Sequence, residues 1–92
     1  MVNKFPIVKR PEGTYEAWND YQYWIDNDKN KLKRVNQLIK EIDRDPYKGI
    51  GKPEPLKANL QGYWSRRIDR EHRIVYAVES GQIVYISFRY HY

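Results

Sequence analysis

His72-Arg73-Ile74-Val75-Tyr76-Ala77-Val78-Glu79 and Ile83-Val84-Tyr85-Ile86-Ser87-Phe88-Arg89-Tyr90-His91-Tyr92 are β-branched and aromatic runs separated only by Ser80-Gly81-Gln82. Such runs around a glycine break read as a β-hairpin. A third strand-like stretch, Leu60 to Asp69, precedes them across Asp69-Arg70-Glu71, another break short enough for a hairpin. Side chains alternate between faces along a strand. Trp64, Arg66 and Ile68 therefore share one face, and Tyr63, Ser65 and Arg67 share the other. In the next strand Ile74, Tyr76 and Val78 oppose Arg73, Val75 and Ala77. The bulkier apolar sets need a cover, which places Arg67 and Arg73 on the uncovered face. Arg66, on the side of Trp64 and Ile68, would need a carboxylate partner if buried. His72 falls with the apolar set and reads as a satisfied core or rim histidine.

The cover lies upstream. Pro11-Glu12-Gly13 is a turn signal, Thr14 a plausible N-cap, and Glu16 suits a first helical turn. Trp18, Tyr21, Trp24 and Ile25 repeat at helical spacing to about Asn27. Asp28 can cap a second helix, whose stripe of Leu32, Val35, Leu38, Ile39 and Ile42 opposes Lys31, Lys33, Arg34, Lys40 and Glu41 and ends before Pro46. So short a break predicts a helical hairpin. Phe5 to Lys9 suits a short edge strand, because Pro6 argues against a central one. Tyr47 to Asn59, with two Gly and two Pro, reads as a loop. The expected fold is α+β: an antiparallel sheet in β-α-α-β-β-β order, with the helical hairpin on one face and the other face left for binding.

The 92 residues fit one domain, 1–92, with 40% hydrophobic residues, three Trp and nine Tyr to build a small core. The formal charge of +5 favours an anionic partner, nucleic acid first. Every Lys lies at or before Lys57, whereas Arg66, Arg67, Arg70, Arg73 and Arg89 follow it. Arginine's planar fork suits phosphate oxygens. No cysteine is present, which removes disulfides and thiolate metal sites. There is no signal-like core and no apolar run of bilayer length, so a soluble cytoplasmic protein is expected.

Two further segments could carry chemistry. Glu54 stands between Pro53 and Pro55, which restrict its backbone to extended conformations, and the nearby Lys52 and Lys57 favour its carboxylate form. That suits a general base, although a solvated Glu on a rigid loop would look the same. At the other end, continued alternation sets Arg89 and His91 on one face and Tyr90 and Tyr92 on the other. Alone, a terminal histidine reads as a solvated end. Beside a carboxylate base and a phosphate-binding arginine it becomes a candidate proton donor.

Gly51-Lys52-Pro53-Glu54-Pro55-Leu56, Gly62-Tyr63-Trp64-Ser65-Arg66-Arg67-Ile68, Glu71-His72-Arg73-Ile74-Val75-Tyr76 and Arg89-Tyr90-His91-Tyr92 together resemble the YoeB branch of the RelE-type toxins. These are the ribonuclease components of bacterial toxin–antitoxin pairs. The resemblance spans about Thr14 to Tyr92, with Trp18, Tyr21 and Trp24 also in family positions. The chain departs from the pattern in its longer, proline-rich start through Gly13. Ala58 stands where relatives often carry histidine, and Gln61 where serine is common. The resemblance implies that losing that histidine removes a candidate RNA contact, with a change in rate or affinity to be expected, and leaves the acid–base set untouched.

The resemblance implies a RelE-like ribonuclease fold and a toxin that enters the ribosomal A site and cuts mRNA without a metal or other cofactor. It implies Glu54 as the base on a ribose 2′-OH, Arg73 as stabiliser of the phosphorane-like transition state with Arg67 and Lys57, and His91 as the acid. Tyr92 would position the nucleotide or the acid, and its terminal carboxylate would favour a protonated His91. The implied partners are a cognate acidic, YefM-like antitoxin, the 70S ribosome and mRNA, with a homodimer allowed and no membrane. The alternative without catalysis is a basic module that grips RNA or the ribosome and blocks translation sterically. It needs the arginines but neither Glu54 nor His91.

Overall fold

The computed structural model describes residues 16–57 and 61–89. The expected edge strand at Phe5 to Lys9, the Thr14 cap, Ala58, His91 and Tyr92 lie outside them. Two helices open the described chain, α1 (Glu16–Asn27) and α2 (Lys29–Arg44). Asp28 separates them: its carboxylate accepts from the backbone N–H groups of Asn30 and Lys31, which satisfies donors that the first turn of α2 leaves open. At the far end the Asp45 N–H caps the Glu41 carbonyl before Pro46 stops the helix. Tyr21 donates to Asn36 Oδ1 at 2.6 Å and ties the two helices together.

The rest of the described chain forms an antiparallel sheet ordered β1 (Glu54–Pro55), β2 (Tyr63–Arg67), β3 (Arg73–Glu79), β4 (Gln82–Ser87). The fold is thus α+β, with the hairpin of α1 and α2 packed on one sheet face. Val35, Leu38 and Ile42 of α2 and Ala17 and Trp24 of α1 bury against Ile68, Ile74, Tyr76, Tyr85 and Phe88. Burial of side chains this size contributes roughly 1.5–3 kcal/mol each, so this layer dominates the stability of the domain.

Three expectations are corrected. The 47–59 stretch is not wholly loop, because Glu54 and Pro55 pair with Ser65 and Trp64. The two flanking prolines keep that strand short and at the sheet edge. The uncovered face is not fully open either, for Val75, Val84 and Ile86 are buried on it with Leu56 and Tyr63 packed against them. The last strand ends at Ser87 rather than continuing through Phe88 and Arg89. There the Phe88 N–H turns to the Asp20 carboxylate of α1 at 2.9 Å, and the Phe88 carbonyl accepts from Trp24 Nε1 at 2.8 Å. Strand alternation therefore stops before Arg89. Arg89 instead lies 3.6 Å above the centre of the Tyr23 ring.

No helix among the described residues is long and apolar enough to cross a membrane.

Candidate functional site

Register brings the charged residues together. Glu54 sits opposite Ser65, and Arg67 sits opposite Arg73. Directly opposed residues share a sheet face, so Glu54, Ser65, Arg67 and Arg73 line the face turned away from the helices. Arg73 Nη1 donates to Glu54 Oε1 at 2.8 Å and to Ser65 Oγ at 3.2 Å. The Arg73 side chain is 21% exposed and that of Glu54 is 51% exposed. One cation is therefore anchored by a buried hydroxyl while its carboxylate partner faces solvent. The cation that meets Glu54 is Arg73 rather than either neighbouring lysine.

Arg67 is exposed, with its backbone N–H bonded to the Gly51 carbonyl at 2.7 Å. Lys57 is exposed just past β1, and no hydrogen bond or ion pair among the described residues joins it to the others. His91 and Tyr92, the expected acid and positioning residue, lie outside the described residues. His72 is a rim histidine: its side chain is 12% exposed, and its ring meets Trp24 edge-on at 5.0 Å. Among the described residues, no three His, Cys, Asp or Glu gather as a ligand set for a metal ion.

The approach to Glu54 is fastened from below. Arg66 is wholly buried, yet its partners are neutral oxygens rather than the carboxylate expected from sequence. Nε donates to the Tyr76 hydroxyl, Nη1 to the Ile50 carbonyl, and Nη2 to the Asp45 and Lys48 carbonyls. The Tyr76 hydroxyl in turn donates a hydrogen bond to the Pro46 carbonyl at 2.6 Å. Burial raises the Tyr76 pKa against the opposing pull of Arg66, so the hydroxyl keeps the proton it donates. Carbonyl acceptors have no signature in sequence. The one legible hint was a bulky cation on the face of Trp64 and Ile68.

Chemically, the uncovered face offers an accessible carboxylate to take a proton and guanidinium groups to hold an anion beside it. That combination fits a phosphodiester and its neighbouring hydroxyl.

Comparison with known proteins shows the family. Residues 14–92 match the family described as YoeB-like toxin of bacterial type II toxin–antitoxin system. Toxin YoeB of Synechocystis sp. is 60% identical over 76 residues, covering 83% of this chain and 88% of that protein. Among solved structures, the YoeB/ParE toxin from Agrobacterium tumefaciens superposes with a TM-score of 0.81 at 48% identity, covering 86% of this chain and 94% of that one. YoeB in the YoeB–YefM complex from Staphylococcus aureus gives 0.80 at 45% identity, over 96% and 99% of the two chains. The Staphylococcus aureus YoeB dimer gives 0.79 at 46% identity, over 95% and 98%.

Proposed function

The chain belongs to the YoeB-like toxins of bacterial type II toxin–antitoxin systems, and from that premise we propose that it is a ribosome-dependent endoribonuclease that cuts mRNA in the A site by metal-independent acid–base chemistry. The observation that carries this proposal is the contact between Glu54 and Arg73 on the uncovered face, with Arg67 directly across the sheet. A steric plug needs the cations but not a solvent-facing carboxylate set against one of them.

Glu54 takes the proton from a ribose 2′-OH, and the freed oxygen attacks the adjacent phosphorus. Arg73, with Arg67 and Lys57, neutralises the charge gathering on the phosphate oxygens. As the P–O5′ bond breaks, His91 gives its proton to the leaving oxygen, while Tyr92 positions the nucleotide or the acid. The products are a 2′,3′-cyclic phosphate (or the 3′-phosphate left after its hydrolysis) and a 5′-hydroxyl. Each proton transfer contributes roughly 10²–10⁴ in rate, and fixed cations at the developing charge add a comparable factor.

The proposed site of action is the cytoplasm, on the 70S ribosome. In this proposal an acidic antitoxin covers the cationic face when translation is to be spared; the Staphylococcus aureus relative forms a YoeB–YefM complex. A homodimer is proposed on the dimer of the same relative.

The test is to add the protein to translating ribosomes, map mRNA 5′ ends, and repeat with Glu54→Ala, Arg73→Ala and His91→Ala. Cuts confined to A-site codons and lost in the variants are expected. Inhibition without cuts, or cuts undiminished in all three variants, would return the protein to the steric alternative.

A further inference from the structure

We propose that Arg66 is a positioning residue for Glu54: its guanidinium, braced by Tyr76, holds the loop that delivers the carboxylate to the sheet edge. The assignment of a role to Glu54 rests on the nuclease proposal above; the clamp itself rests on geometry alone.

β1 is poorly equipped to hold Glu54 by itself. It is two residues long, and Pro53 and Pro55 have no N–H to give to a ladder. The next backbone donor on that side is Leu56, bonded to the Tyr63 carbonyl at 2.8 Å. Beyond this two-residue pairing, the path of the chain into Glu54 is also held before Pro53. It is fixed by side chains: Arg66 and Tyr76 between them occupy the carbonyls of Asp45, Pro46, Lys48 and Ile50. The following carbonyl, Gly51, is taken by the Arg67 N–H.

The loop is moulded closely around the guanidinium. A Cβ on Gly49 would come within 3.1 Å of Arg66 Nη1, and one on Gly51 within 2.8 Å of Leu38 Cδ2 and 3.2 Å of Arg66 Cβ. Both glycines have positive φ, and so does Lys52 at 52°, a conformation that side chains other than glycine adopt rarely. A strained turn persists where surrounding contacts over-determine it, and here Arg66 supplies several of them, alongside Tyr76, Leu38 and the Arg67 N–H. Alternation along β2 completes the arrangement. Ser65 and Arg67 work on the uncovered face while Arg66, between them, secures the loop from the opposite face.

Arg66→Gln and Tyr76→Phe test this, with Arg66→Lys as a partial replacement that keeps the charge but not the fork. Circular dichroism and thermal melting select the folded variants, and Tyr76→Phe, which loses one hydroxyl, is the mild case. Amide hydrogen exchange across residues 47–54 then reads the clamp directly. Single-turnover cleavage on programmed ribosomes reads its consequence, with apparent ribosome affinity measured separately. Faster exchange in this segment is expected, with cleavage slowed about tenfold or more and affinity within about twofold of the parent.

In a Glu54→Ala background, Arg66→Gln should cause no further loss of cleavage, because it acts through the missing carboxylate. Unchanged exchange in folded Arg66→Gln and Tyr76→Phe overturns the clamp. An equal further loss in the Glu54→Ala background overturns the coupling to Glu54. Failure of the nuclease proposal looks different: the parent protein cuts nothing, or Glu54→Ala cuts as well as the parent, while exchange still decides the clamp.

Discussion

Arg73 reaches Glu54 at 2.8 Å from β3, with β2 between them. The contact crosses the whole width of one strand, and Ser65 on that intervening strand supports the guanidinium at 3.2 Å. The proposed base rests on the proposed phosphate ligand. The carboxylate and the guanidinium are thereby held side by side on the face turned away from the helices.

Removing the carboxylate should separate activity from stability. Exposed ion pairs contribute about 0–1 kcal/mol, and Glu54 is half exposed, so Glu54→Ala should melt close to the parent. Its cleavage step should slow by about 10²–10⁴. Parallel thermal melts and single-turnover cleavage check this. A large drop in melting temperature would mean that Glu54 is structural.

Ser65 predicts an effect with no chemistry of its own. Ser65→Ala removes the hydroxyl that steadies Arg73, and the guanidinium can then settle wholly on Glu54. Cleavage should fall about tenfold while ribosome affinity changes little. Arg73→Lys should fall further, because an ammonium group lacks the planar fork that can hold two oxygens at once. Rates for the two variants, measured beside Arg73→Ala, give the ordering.

Asp69 makes a pH-dependent contribution to stability. Burial acts to raise its pKa, but donation from Lys31 and from the His72 and Glu71 N–H groups outweighs this and leaves the carboxyl below the usual carboxylate range. The folded state thus holds this proton less tightly than the unfolded chain does. The stabilisation is complete above the unfolded carboxyl's pKa and is lost as pH falls through the lower, folded one. Asp69→Asn should therefore be less stable than the parent near neutrality, with the gap closing in strong acid. Urea midpoints for both proteins from about pH 7 to about pH 2 would show it; a gap independent of pH would refute it.

Trp24 and Asp20 secure the end of the sheet. Trp24→Phe leaves the buried Phe88 carbonyl without its indole donor and should cost about 1–3 kcal/mol. Asp20→Ala removes the acceptor of the Phe88 N–H. If His91 is the proton donor, both variants should also slow cleavage, since Phe88 and Arg89 lead directly into it. Melts, cleavage rates and amide exchange at residues 87–89 check both effects.

The helices were the most legible part of the chain. Asp28, the apolar stripe from Leu32 to Ile42 and Pro46 mark α2 by cap, period and stop, all of them local signals. β2 and β3 were legible in position and face, because alternation sets Arg67 and Arg73 apart from Ile74 and Tyr76. β1 was not, since prolines hide a strand that pairs for only two residues. The end of β4 was missed for a different reason. Phe88 leaves the sheet for Asp20 and Trp24, partners more than sixty positions away that no local pattern announces. The same holds for Arg66: its burial was foreseen as a difficulty, but backbone carbonyls answer it, and they have no residue identity to read.

The neutral partners of Arg66 have a consequence for how the molecule responds to its medium. Small ions screen exposed charges over about 8–10 Å at ordinary ionic strength, so added salt weakens any hold that Arg67, Arg73 and Lys57 have on a polyanion. The cage around Arg66 is shut away from those ions and draws on carbonyl dipoles. Concentrated electrolyte should accordingly detach the protein from its target without loosening the scaffold beneath Glu54, and dilution alone should restore it, with no refolding step between.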